Sequence, residues 1–246
     1  MTIPCRPLAP VGPDLFDETL DGDPWIAFHG TTNTFESEID RFGLNANRCR
    51  FTRAEIADVV ALFEGVGWAG EQGGGFAVLK PFSLDFDRSS SEHPRLCLAE
   101  SSYRASLYAT QDFSGGEAAR ALRYSFQDLG RYADGLVGNG TADQRQWVRH
   151  KLEDLSSVER TAKHLYQNHE YGVVYAVRMT ADDLPHLKYD SSMGVIASMA
   201  LSPDRLLAKV AIPKDWRRAM VTDWRRINRG GEEGLIAEVI RQATAR

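Results

Sequence analysis

Cysteine is scarce in this chain. Cys5, Cys49 and Cys97 are the three in 246 residues, they lie far apart, and no CxxC pair occurs. An odd, scattered set excludes a disulfide framework and speaks against a cysteine-built zinc site. Long apolar runs are missing as well: none approaches the ~18–20 residues that a membrane-spanning helix needs. A basic excess is missing, with a formal net charge of -5 and an isoelectric point near 5.7. That excludes nucleic-acid binding over the whole surface and leaves room for a local basic patch. The opening Met1-Thr-Ile-Pro-Cys-Arg-Pro7 has neither the charged nor the apolar region of a secretory signal, so a cytoplasmic protein is expected, with export by a signal-less route left open. The GxxxxGK[ST] phosphate loop, the HExxH metal helix and the GxSxG elbow are all absent, and Gly73 to Gly75 do not spell GxGxxG. His164 and His169 lie five apart and do not share a helical face, so no metal site is expected.

What is present is ordinary globular material, 43% hydrophobic and 26% charged. A chain of this length buries roughly 70% or more of its unfolded surface and needs no covalent staple. One domain spanning residues 1–246 is expected. Residues 1–24 hold five of the ten prolines and read as an irregular lead-in. Trp25 to Phe28 reads as a strand that stops at His29-Gly30-Thr31. A helix from Thr34 to Phe42 follows, with Phe35, Ile39 and Phe42 spaced for one face and Gly43 as its end. Thr52 caps a second helix carrying Ile56, Val59, Val60 and Phe63, which Gly65 and Gly67 stop. Residues 69–75 read as a glycine-rich loop and 76–79 as a strand.

Leu96 to Ala99 reads as a buried strand, followed by a helix capped by Ser101 or Ser102 and running through Ala105, Tyr108 and Ala109. Residues 117–134 carry a helical stripe (Ala119, Leu122, Phe126, Leu129, Ala133), and 142–168 carry another (Val148, Leu152, Leu155, Ala162, Leu165). The last third is β-rich. Val173 to Arg178, Val195 to Leu201 and Leu206 to Ile212 are strand candidates, with a turn at Ser202-Pro203-Asp204 and a last helix after Gly234. Strands and helices do not alternate regularly, which favours α+β over a doubly wound sheet.

Two places carry candidate chemistry. His29-Gly30-Thr31 sets a histidine at a strand end, and the bare glycine lets a ligand approach its backbone, whose N–H and C=O together suit a carboxamide. Tyr108 lies about two turns into the helix after the second strand and could stack on a flat ring. The plain alternatives are a strand-end turn and a core tyrosine. Cys97, on an apolar run, reads as a core residue.

Phe28-His-Gly-Thr31, with Ile39 and Gly43-Leu44, resembles the opening motif of the ADP-ribosyltransferase superfamily, in its diphtheria-toxin and poly(ADP-ribose)-polymerase branch. Leu96 to Ala109 is similar to that family's second motif, a short strand and then Ala-x-x-Tyr-Ala on a helix, met here by Ala105 to Ala109. Val174-Tyr-Ala-Val177 and Val195 to Ile212, with Ser-Pro-Asp-Arg-Leu inside, resemble its closing strands. The motifs cover about a third of the chain. The resemblance implies an α+β split-sheet core with residues 114–170 as a helical insertion. It also implies NAD as substrate and transfer of ADP-ribose to a macromolecular acceptor, protein or nucleic acid, as toxins, effectors and defence enzymes do. By carry-over His29 would bond the nicotinamide-side ribose, the Gly30 backbone would hold the carboxamide, Thr31 would assist and Tyr108 would stack on the nicotinamide.

The third motif departs from the family. Its glutamate falls in the slot Ser192 to Gly194, where no acid stands, and Asp190 is the nearest acid upstream and the candidate to replace it. Without a carboxylate the chain would be a module that binds NAD, ADP-ribose or a protein partner and turns nothing over. Removal of an RNA 2′-phosphate with NAD is a further possibility of the same fold, though the arginines of that family are not in register here. Lys214 to Arg229 is locally basic with two tryptophans, so Arg217, Arg218, Arg225 and Arg226 would be the place for nucleic-acid contact. The alternative is a surface segment with its arginines paired to Asp215 and Asp223.

Overall fold

The computed structural model describes residues 2–8, 15–45, 50–67, 96–110, 117–167, 170–190, 194–213 and 235–244. Its contacts divide the chain into two units, Met1–Asn47 with His93–Ser114 and His169–Arg246, and Arg48–Glu92 with Gly115–Asn168.

The first unit is built on β4 (Tyr171–Arg178), whose run from Gly172 to Val177 is buried throughout. On one side β4 pairs antiparallel with β2 (Ile26–Thr32), Ile26 opposite Arg178 and Thr32 opposite Gly172. On the other side it pairs antiparallel with β7 (Leu206–Pro213). The two-residue β1 (Cys5–Arg6) adds parallel to β7, for the order β1-β7-β4-β2. A second, antiparallel sheet has the order β3-β6-β5, from β3 (Leu96–Leu98), β5 (Leu187–Asp190) and β6 (Gly194–Ala197). Two mainly antiparallel sheets accompanied by helices make an α+β fold.

Side chains alternate across the first sheet as the period of a strand requires. Ile26, Phe28, Val174, Ala176, Ala208 and Val210 enter one buried cluster, which also takes Ala105 and Ala109 from α4 (Ser102–Thr110). Ala27, Val173, Tyr175 and Val177 enter the other, with Ile39 from α2 (Asn33–Phe42) and Ile236 and Ile240 from the C-terminal helix. Gly43 ends α2 with φ at +76°, and its N–H returns to Ile39 O. The apolar face expected on α2 is narrower than its spacing predicts. Ile39 is buried, but Phe42 is 40% exposed, covered by the Arg41 guanidinium 4.8 Å from its ring centre. Polar contacts add to Ile39 in holding α2 to the sheet. Lys209 of β7 pairs with Glu36 at 2.6 Å and with Asp40, Tyr175 Oη donates to Asp40 at 3.0 Å, and Tyr171 Oη donates to Glu36 at 2.8 Å.

The lead-in is less irregular than its prolines predict. Besides β1 it holds α1 (Glu18–Asp21), capped by Asp17, and it buries Ile3, Leu15, Phe16 and Leu20. Phe16 stacks on Phe28, ring centres 5.7 Å apart. Strand β6 is shorter than the Val195 to Leu201 expected, since the chain bends at Ser198 and only Leu201 bridges back, to Leu44.

The second unit is helical among its described residues. Thr52 and Glu55 form a capping box on α3 (Arg53–Gly65), which buries Ile56, Val59, Leu62 and Phe63. The stripe from Ala119 to Ala133 is buried on α5 (Glu117–Ala133), which packs against α3, α6 (Ala142–Asp154) and α7 (Ser156–Gln167). The stretch expected as one helix over 142–168 is two, with Leu155 ending α6 in a non-helical conformation. The last helix of the chain, α8 (Leu235–Thr244), belongs to the first unit and buries Ile236, Ala237 and Ile240, while Leu235 at its start is exposed. Among the described residues no helix is long and apolar enough to cross a membrane.

Candidate functional site

Strand β2 is the edge of the first sheet, and its free edge is the centre of the site. Phe28 N–H donates to Ala99 O at 2.8 Å and Ala99 N–H donates to Phe28 O at 2.6 Å. In an antiparallel ladder successive residues turn their peptide groups to opposite edges. So His29 and Thr31 exchange hydrogen bonds with Tyr175 and Val173 of β4, while Phe28 and Gly30 face away from it. A continuous ladder would set Gly30 against Cys97, two residues beyond the bridge on each strand. The Phe28–Ala99 bridge is isolated instead, and past it β2 and β3 part. The N–H and C=O of Gly30 are left at this gap, side by side, with no ladder partner among the described residues.

Gly30 is glycine for a reason other than the one its sequence context predicts. Its bare face is turned to α4, where a Cβ would come 1.8 Å from Ala105 O and 3.1 Å from Ala109 N. The helix backbone, not a ligand, fills the place of the missing side chain. Small residues on α4 allow this approach: Ser102, Ala105, Ser106 and Ala109 are buried, and Ser102 Oγ accepts from Leu15 N–H at 3.1 Å. The ligand-facing part of Gly30 is its peptide edge, which any residue would present.

His29 Nδ1 lies 3.3 Å from Cys97 O, across the gap. Burial pushes its pKa down to about 4, against the weaker upward pull of the Cys97 carbonyl. The ring is therefore neutral at pH 7. A carbonyl only accepts, so Nδ1 carries the proton and Nε2 is left as an acceptor. Thr31 is buried at 8% exposure and paired in the sheet. Tyr108 is half-buried on α4, roughly 60° round the helix from Ala105, the residue seated on Gly30. One turn earlier on that flank, Arg104 Nη1 pairs with Glu100 Oε1 at 2.6 Å and the guanidinium also bonds the Tyr108 hydroxyl. Burial opposes the charge of Arg104, but the Glu100 carboxylate outweighs it and holds the pKa above the ordinary value.

The site thus gathers His29, Gly30 and the helix of Tyr108. Asp190 ends β5, opposite Gly194, with β6 between β5 and β3. Ser192 and Met193 lie outside the described residues, as do the loop over 69–75, the strand expected over 76–79, and Arg217, Arg218, Arg225 and Arg226. Sequence reasoning missed Glu100. Its only local signal was an acid in the turn between a buried strand and a helix of small residues. Its side chain is 10% exposed, Oε1 is held by Arg104, and Oε2 is buried without a hydrogen-bond partner. Among the described residues no group of three or more His, Cys, Asp or Glu side chains is arranged to hold a metal ion. Compared with protein-family models, curated proteins and solved structures, the chain gives no significant match.

Proposed function

We propose that this chain is an NAD-dependent mono-ADP-ribosyltransferase. The observation that carries the reading is the N–H and C=O of Gly30, which have no ladder partner among the described residues, at the gap between the two sheets. A primary carboxamide offers one acceptor and one donor in a plane, and the two peptide groups match it with both bonds formed. Nicotinamide is such a carboxamide on a flat ring, and the half-buried Tyr108 stands on α4, the helix seated on Gly30. Neutral His29 offers Nε2 to a ribose hydroxyl. The parting of β2 and β3 beyond one bridge supports the split-sheet core that the motifs of this chain resemble.

The chemistry asks for orientation and charge. The bond between ribose and nicotinamide breaks with its electron pair leaving on the nicotinamide nitrogen, which becomes neutral. Positive charge builds on the ribose ring, as in glycoside cleavage. The acceptor's lone pair forms the new bond and its proton passes to water. The acceptor is a macromolecule, protein or nucleic acid, in keeping with a toxin, effector or defence enzyme. The serine, methionine and glycine at 192–194, where the resemblance expects an acid, favour a second reading, a module that binds NAD, ADP-ribose or a protein without turnover.

The test is incubation with NAD labelled in its ADP-ribose part, with a cell lysate as the source of acceptors. Free nicotinamide and label that fall about tenfold or more in His29→Ala, with its fold intact by circular dichroism, are the expected result. NAD binding without nicotinamide release turns the conclusion to the binding module. Turnover unchanged in His29→Ala removes the site from where it is drawn here.

A further inference from the structure

We infer that Glu100 is the carboxylate of this site, and that its second oxygen accepts a hydroxyl of the ribose beside the bond that breaks. The inference rests on the reading above. Glu100 stands in the turn between β3 and α4, directly after Ala99, whose peptide closes the last bridge before the gap. Its side chain is nine-tenths buried, Oε1 takes Arg104 at 2.6 Å, and Oε2 is shut from solvent with no partner.

A purely structural carboxylate in this protein looks different. Asp183 is buried to 5% exposure, and both its oxygens are filled: Oδ2 accepts from Thr180 N–H, Thr180 Oγ1 and Arg205 Nη1, and Oδ1 accepts from Arg205 Nη2 at 3.4 Å. A buried acceptor left unmade costs on the order of 1–3 kcal/mol, more when it is charged. Among the described residues no donor meets Oε2. Gly194 closes the far side of Oε2, and a Cβ there would stand 3.2 Å from Oε2 and 2.5 Å from Leu98 O. Arg104 is shared with Tyr108 on the same flank of α4, so the carboxylate and the ring that would cover the nicotinamide lie in one row. The terminal torsion of a glutamate is broad, and turning it presents the free oxygen through the tenth of the side chain still open. There the carboxylate faces the ribose as positive charge develops, and in a dry site that charge is little screened. Glu100 forms no covalent bond in this step and gives up no proton.

The experiment compares the full-length chain with Glu100→Gln and Glu100→Asp, reading NAD affinity by calorimetry and nicotinamide release by chromatography. Glu100→Gln keeps the size and an acceptor for Arg104. It is expected to bind NAD within about threefold of the parent and to release nicotinamide about a hundredfold more slowly. Release within about threefold of the parent overturns the inference. Glu100→Asp keeps the charge and draws it back by one methylene, with about tenfold slower release expected. It stands in if the glutamine variant does not melt cooperatively, and an unchanged rate there overturns the inference equally. A parent protein that binds NAD and releases nothing overturns the role of Glu100 and leaves the binding site standing. One that does not bind NAD at all overturns the reading beneath.

Discussion

His29, Tyr175 and Lys209 stand opposite one another on β2, β4 and β7, a single row across one face of the first sheet. The two ends of that row are made differently. At the Lys209 end every polar group has found a partner inside the protein: two carboxylates meet the ammonium group, and two tyrosine hydroxyls meet the carboxylates. Burial, and then the charge of Asp40, push the Tyr175 hydroxyl far above its ordinary pKa, so it stays a donor. At the His29 end the ring is neutral with one nitrogen unspent, the Gly30 peptide faces a gap, and a nearby carboxylate oxygen has no partner. Buried polar groups are normally satisfied, and a cluster that leaves several open is built for something the chain itself does not contain. The closed end holds α2 in place, and the open end is where a ligand is expected.

The strongest test of that contrast is at the closed end. Lys209→Met keeps the length of the side chain and strips Glu36 and Asp40 of their counter-charge. Breaking a largely buried ion network by removing one partner destabilises by about 3 kcal/mol or more, read as a lower urea midpoint. Nicotinamide release per folded molecule should stay as it is in the parent. A release rate that falls further than the folded fraction would make the row one functional unit and break the comparison.

How far the row was legible from the sequence follows from the range of each interaction. Local signals held: the Thr52 cap, the end of α2 at Gly43, and the apolar runs that form β4 and β7. Elements without a period of their own did not. The two residues of β1 exist through pairing with β7, and the short β5 through its hairpin with β6. Leu152 and Leu155 continue a helical spacing across a break that spacing alone does not show. The strand expected to stop at His29 runs on to Thr32, because pairing with β4 carries it past the polar triplet. The helix that carries Tyr108 was legible from local spacing. The reason for Gly30 was not, since only the fold brings Ala105 O onto it. Glu100 was invisible for the same reason: an acid in a turn becomes notable once Gly194 and Arg104 are known to enclose it.

A smaller effect sharpens the open end through pH. The folded His29 takes up a proton near pH 4, whereas an unfolded histidine does so near 6.5. Between these values the unfolded chain binds more protons, so acid favours unfolding. The contribution of the neutral ring is complete above about pH 6.5, declines as pH falls, and is gone below about 4. Its full size is at most about 3 kcal/mol, less for the part of the ring that water still reaches. The measurement is the difference in unfolding free energy between the parent and His29→Asn at pH 7 and pH 5. The gap between them should narrow at the lower pH. A gap that is constant with pH would mean a ring that titrates normally and a site wetter than drawn here.

The smallest effect separates two uses of one residue. The Tyr108 hydroxyl meets Arg104, and its ring is the surface proposed to meet the nicotinamide. If the ring is what the ligand meets, Tyr108→Ala should weaken nicotinamide binding by about 1 kcal/mol, roughly fivefold in Kd, while Tyr108→Phe leaves it unaltered. If the hydroxyl matters through Arg104, Tyr108→Phe should lose as much as Tyr108→Ala. The ring result is expected, because Arg104 keeps its ion pair with Glu100 at 2.6 Å when the hydroxyl is gone. That pair is a closed contact at the open end. The phenylalanine variant therefore asks whether the site is held by the ligand it awaits or by the same internal pairing that closes the Lys209 end.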